Sequence, residues 1–242
     1  MKLYPSKISR GFTLMETVIA IGVLALLLSA FIAVFGPATS GLRKAISIQE
    51  ADRLSAALER ELVTLRSGPQ GGSGTYTTGF DKAYQWIEGA SDSNDAIMLY
   101  QYRGDPEQMR SDGSMEPFTE AGGIAGKDFI VQPAVRRRSD DFLLDDLKAV
   151  DGRIFTVKLT QLVFEGGQLT RGQAGEITDP TPDDGDTSSG SGSDGYPEAV
   201  IAFSAEFFIL PSNSIDYVQP SGKFDPERLT KPVFTRNLAV RR

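Results

Sequence analysis

The chain has 242 residues, a formal charge of −7, and neither cysteine nor histidine. The negative balance gives no electrostatic footprint for nucleic acid, so no nucleic-acid partner is expected. Lack of cysteine removes disulfides and thiolate chemistry, and lack of histidine removes the commonest metal ligand and the commonest acid or base near neutral pH.

At its amino terminus, Lys2, Lys7 and Arg10 precede the stretch "GFTLMETVIAIGVLALLLSAF". The uncharged run from Thr17 to Phe35 is 19 residues long, and a helix from Phe12 to Phe35 would hold 24. At ~1.5 Å per residue such a helix reaches roughly 36 Å, enough to cross a bilayer. The basic flank predicts a cytoplasmic amino terminus with the remainder on the outer side. Glu16 interrupts the apolar run near its start. A carboxylate alone in lipid is costly, and a nearby ammonium would offset much of that cost.

The sequence "GFTLMETVIAIGVLALL" resembles the class III signal and transmembrane start of type IV pilins and type II secretion pseudopilins. By that resemblance residues 1–11 are a prepilin leader, cut between Gly11 and Phe12 by prepilin peptidase, and Phe12 is N-methylated. Glu16 matches the acid five residues into the mature chain, and its pairing with an adjacent Phe12 amine is expected to help set subunit register during assembly. Residues 12–36 would form the transmembrane and filament-core helix, and 37–66 its amphipathic continuation. The rest, 67–242, would be a β-rich periplasmic head. The resemblance implies a single-pass protein of the bacterial inner membrane that enters a filament after processing. Its partners would be prepilin peptidase, other pilins or pseudopilins, an inner-membrane assembly platform and membrane lipid. A chain larger than a compact major pseudopilin, without a cysteine pair, implies a minor pseudopilin. The alternatives are a minor type IV pilin for adhesion, DNA uptake or motility, and a membrane-anchored binding protein that never polymerises.

Beyond the anchor, Gly36-Pro37 predicts a kink or helix break, because proline lacks an amide donor and restricts its predecessor. Helical periodicity returns with Leu42, Ile46, Leu54, Leu58, Leu62 and Leu65 in a stripe expected to bury against a sheet. Residues 67–79 read as a connector. Candidate strands follow at Ala96–Tyr102 and Asp128–Val135, where Pro133 argues for a sheet edge or a strand end. In "RIFTVKLTQLVFEGGQLT", Phe155, Val157, Leu159 and Val163 share a face that Gln161 interrupts, and Gly166-Gly167 turns the chain into a return strand.

The stretch "VRRRSDDFLLDD" sets Arg136, Arg137 and Arg138 before Asp140, Asp141, Asp145 and Asp146, which reads as solvent-facing ion pairs. Residues 173–197 form an acidic, turn-rich loop. A calcium site built from some of Asp179, Asp183, Asp184, Asp186 and Asp194 is a weak alternative, since oxygen ligands suit calcium but the spacing is not that of an EF-hand. The strongest late strand is "EAVIAFSAEFFIL", with Ile201, Phe203, Ala205, Phe207 and Ile209 on the core face and Ser204 and Glu206 on the other. A last strand is expected at Val233–Val240, and Arg241 and Arg242 offer a basic partner site. The fold class expected is α+β, a long amino-terminal helix packed on an antiparallel sheet in pilin-like fashion. No Ser-His or Cys-His nucleophile system and no P-loop occurs, so no catalytic site and no required cofactor are assigned.

Overall fold

The computed structural model describes residues 13–66, 76–179 and 192–242. The chain divides into two compact units, Met1–Ile46 and Ser47–Arg242. Helix α1, Leu14–Val63, runs from one into the other, and no break forms at Pro37. Proline forfeits one helical hydrogen bond, but its φ suits a helix. Side chains also fasten this stretch: the Thr39 hydroxyl donates to the carbonyls of Phe35 and Gly36, both at 3.0 Å, and that of Ser40 to Pro37 at 2.8 Å.

Within the first unit, described side chains from Leu14 to Ile46 are exposed. Leu42 and Ile46 therefore do not join the buried stripe, and Leu65, past the end of the helix, is also exposed. The buried face consists of Ala51, Leu54, Ala57, Leu58 and Leu62, with Ser47, Ser55 and Glu61 among them.

Helix α2, Gly79–Glu88, follows. Thr78 caps it by accepting from the Asp81 amide, and Phe80, Ala83, Trp86 and Ile87 face the core at helical spacing. Strands β1 (Ile97–Met109), β2 (Met115–Pro117) and β3 (Ile130–Arg137) come next, then the short helix α3 (Leu143–Asp146). Strands β4 (Phe155–Glu165), β5 (Gln168–Arg171) and β6 (Val200–Ile209), helix α4 (Ile215–Val218) and β7 (Phe234–Arg241) complete the head.

All strand pairs are antiparallel, in the order β2-β1-β4-β6-β7, with β3 also on β1 and β5 also on β4. Strand β3 pairs with β1 alone, and its Pro133 thus occupies an edge as its missing amide requires. Gly166 (φ +59°) and Gly167 (φ +82°) turn β4 into β5; a two-residue hairpin with positive φ at both positions favours glycine.

Alternation on β1 divides the core. Ile97 and Leu99 join α1, α2 and the inner faces of β4 and β6, whereas Met98, Tyr100 and Tyr102 pack with Leu143, Leu147, Val218 and Phe224. Both faces of β1 are therefore covered, and the sheet has a second apolar layer under its short helices. Ser204, on the face of β6 opposite Phe203 and Ala205, is fully buried as well.

Candidate functional site

Gly11 and Phe12 lie outside the described residues. Glu16 stands exposed in the first turn of α1. Its amide donates to the Thr13 hydroxyl at 3.3 Å, so Thr13-Leu-Met-Glu16 forms the amino-terminal half of a capping box. A carboxylate in this turn is also favoured by the helix dipole. Helix α1 is long and apolar enough to span a membrane once, with the apolar window fully exposed.

The head holds a second charged assembly that departs from the sequence expectation. Arg136, Arg137 and Arg138 are buried, each under 7 % exposed, rather than lying on a solvated face. Alternation would send one of three consecutive arginines to solvent, but the end of β3 is enclosed by the β1–β2 hairpin, α3 and the segment after α4. Arg136 donates from Nε to Asp146 at 2.6 Å and from Nη1 to Asp112 and Asp140 at 3.1 and 3.2 Å. Asp146, wholly buried, also accepts from Arg110 at 2.6 Å and from the Tyr100 hydroxyl at 2.7 Å. Phe142 lies under the Arg110 and Arg136 guanidinium groups, at 4.7 and 5.3 Å from its ring centre. Arg138 reaches across to Val218, its Nε donating to that carbonyl at 2.6 Å, and stacks over Phe224. Asp141 keeps the exposed setting expected of the run, and Asp145, half-buried, pairs with Lys148 at 2.7 Å.

A related cluster fastens the end of α1. Lys82, 1 % exposed, donates to the Glu61 carboxylate and carbonyl, both at 2.7 Å, and to the Thr64 carbonyl at 2.9 Å. Arg66 meets Glu61 with two nitrogens, Nη2 at 2.7 Å and Nε at 3.1 Å. The ammonium of Lys82 thus caps terminal helix carbonyls while neutralising a buried acid. Burial lowers the Lys82 pKa despite the Glu61 charge.

Burial and the Asp146 charge raise the Tyr100 hydroxyl well above its ordinary value. Burial also raises Asp140, outweighing Arg136. Asp112 goes the other way: burial opposes its charge, but the Ser114 hydroxyl and amide and Arg136 together lower its pKa. A depressed folded pKa contributes stability that is present above the unfolded value, near 3.9, and lost as pH falls through the folded one. Asp112 therefore contributes an acid-labile component below about pH 4. In urea titrations Asp112→Asn should flatten the wild-type decline there; an unchanged acid limb would remove Asp112 from its cause.

The calcium candidates of the acidic segment fall only in part on described residues. Asp183, Asp184 and Asp186 lie outside the described residues, whereas Asp179 and Asp194 are exposed. Among the described residues no three metal-ligating side chains gather. Both flanks of the segment are fixed by Gln161, the residue that interrupts the β4 face. Its amide nitrogen donates to the Thr178 carbonyl at 2.8 Å and to the Tyr196 hydroxyl at 3.2 Å, and its oxygen accepts from the Thr178 amide at 2.7 Å. Nearby, the Ser193 hydroxyl donates to Asp81 at 2.8 Å. Arg242 donates to the Tyr196 carbonyl at 3.0 Å and lies over Phe80, which ties the residue after β7 to this flank and to α2.

The buried charges meet opposite charges or carbonyls, and their chemistry is to hold β3, the β1–β2 hairpin, α3 and the end of α1 together. Comparison with protein-family models, with curated proteins and with solved structures found no match.

Proposed function

We propose that the chain is a structural subunit, a minor pseudopilin, of a type II secretion pseudopilus or a type IV pilus-like filament. The observation that carries the reading is the junction of two features on α1. Its amino-terminal half presents an uninterrupted, wholly exposed apolar surface opening on Thr13 and Glu16, and its last turns are buried against an antiparallel sheet. Such a helix needs a covering for its first part, and a bilayer followed by neighbouring helices supplies it. In this reading prepilin peptidase cuts between Gly11 and Phe12 and the new amino group is methylated. The subunit waits in the inner membrane with its head in the periplasm until an assembly platform draws it into the filament. The protein acts as a substrate of processing and as a building unit, not as an enzyme.

Amino-terminal mass spectrometry of membrane and sheared-filament fractions tests this directly. The expected product starts at N-methylated Phe12 and is recovered with the filaments. An intact leader in every fraction would refute processing and identify a permanent, non-polymerising membrane anchor instead.

A further inference from the structure

We infer that the open edge of β7 takes up an extended segment of another protein, which adds to the sheet as one more strand. The main-chain register carries this. Arg242 donates its amide to the Ala199 carbonyl opposite it, so along the register shared with β6 the even-numbered residues of β7 direct their backbone groups to β6. The amides and carbonyls of Thr235, Asn237, Ala239 and Arg241 therefore point the other way. All of these residues are exposed, and among the described residues neither a strand nor a single backbone group pairs with that side of β7. A row of unpaired amides and carbonyls is a template for a strand.

The opposite edge of the sheet is guarded. In β3 the Arg138 amide donates to Ala96, which turns the odd-numbered positions outward, and Pro133 stands among them without an amide. No proline interrupts β7. Its inward charge, Arg236, is drawn back onto α1, donating to the Ser55 hydroxyl at 2.8 Å and pairing with Glu59 at 3.0 Å. Beside this edge a groove of about 440 Å³ lies between β7 and the last turns of α1, with Leu62, Val63, Leu238 and Val240 on its walls. A strand added to β7 sets every second side chain over that groove, so the segment that fits alternates apolar with polar residues. Exposed Arg241 favours an acidic residue opposite it.

A second copy of this chain does not suit the edge. Antiparallel pairing of β7 with its own counterpart has a two-fold axis perpendicular to the sheet, which reverses the part of α1 lying on that sheet. Two copies anchored side by side in one bilayer cannot form it. The other free edges that a copy offers among the described residues are β3 with its Pro133 and the three- and four-residue strands β2 and β5. The occupant is therefore a strand of a different chain. This inference goes beyond the filament reading and does not depend on processing at Gly11-Phe12.

Amide hydrogen exchange of the full chain in detergent provides the test. The probe is a synthetic peptide, Glu-Val-Thr-Val-Thr-Val-Glu, whose acidic ends let either strand direction meet Arg241. At a peptide concentration about ten times the dissociation constant, the amides of Thr235, Asn237, Ala239 and Arg241 should exchange about tenfold more slowly, while those of Arg236, Leu238 and Val240, already bonded to β6, keep their rates. Ala239→Pro removes an outward donor and costs no bond to β6, so it should abolish the slowing at the remaining outward positions. No peptide-dependent slowing in the wild type, or equal slowing in Ala239→Pro, would overturn the proposal. So would outward amides protected without peptide, which mark an edge the chain itself covers, or a dimer that Ala239→Pro dissolves, which marks a second copy. Should Ala239→Pro fail to fold, the odd-against-even pattern in the wild type still decides.

Discussion

Asp146→Ala is expected to destabilise the head by about 3–5 kcal/mol, the range seen when one member of a buried ion pair is removed. This carboxylate is wholly buried and serves three partners at once, Arg110, Arg136 and Tyr100. Its removal takes from Arg110 its one carboxylate among the described residues and leaves Arg136 with Asp112 and Asp140, in a buried setting where an uncompensated guanidinium is costly. Asp146→Asn should fall between wild type and alanine, since the amide oxygen still accepts one hydrogen bond without matching the charge. Urea unfolding of the full chain in detergent reads the effect as a lower midpoint with an unchanged slope. An alanine variant with the wild-type midpoint would show that the network contributes no stability.

The second large effect concerns assembly. Glu16→Ala is expected to reduce recovery in sheared filaments ten- to a hundredfold, as the loss of a charge-assisted hydrogen bond worth roughly 1.5–3 kcal/mol implies. Glu16→Gln separates two explanations. The Thr13 hydroxyl accepts from the backbone amide of residue 16, so both substitutions preserve that cap, and glutamine keeps the size and polarity of the side chain while lacking the charge that would neutralise the ammonium created at Phe12 by cleavage. If charge pairing sets the register, both variants fail while remaining membrane-inserted. Normal incorporation of Glu16→Gln would show that the charge of this residue is not needed and defeat the register contact.

The parts of this architecture that were legible in sequence are those governed by short-range rules. The period of two in β4 and β6, the glycine pair between β4 and β5, and the proline on the β3 edge each follow from local geometry. Helix α2 is equally local yet absent from the expectation: Thr78 and Asp81 mark its start, and Phe80, Ala83, Trp86 and Ile87 mark its face. Its shortness and the glycine-rich stretch before it concealed that pattern.

The arginine network was illegible for a different reason. A run of like charges beside a run of opposite charges reads as surface because solvation is the cheapest fate for either alone. What buries Arg136 is Asp112 and Arg110 arriving on the β1–β2 hairpin, a contact no local window contains. The same holds for Glu61, whose partner Lys82 lies on another helix and makes an acid tolerable on the core face of α1. Pro37 illustrates the opposite error, in which a sound local rule overstates its cost where helical φ suits proline and Thr39 and Ser40 fasten the flanking carbonyls.

The Gln161 contacts bear on how this head can vary. With Thr178 and Tyr196 secured to one side chain, the ends of the intervening acidic excursion are already closed, and further length adds only the slow logarithmic entropy of a longer loop, about 0.6 kcal/mol per doubling. Chain inserted between Thr178 and Tyr196 is therefore expected to leave the pairing of β4 with β6 intact.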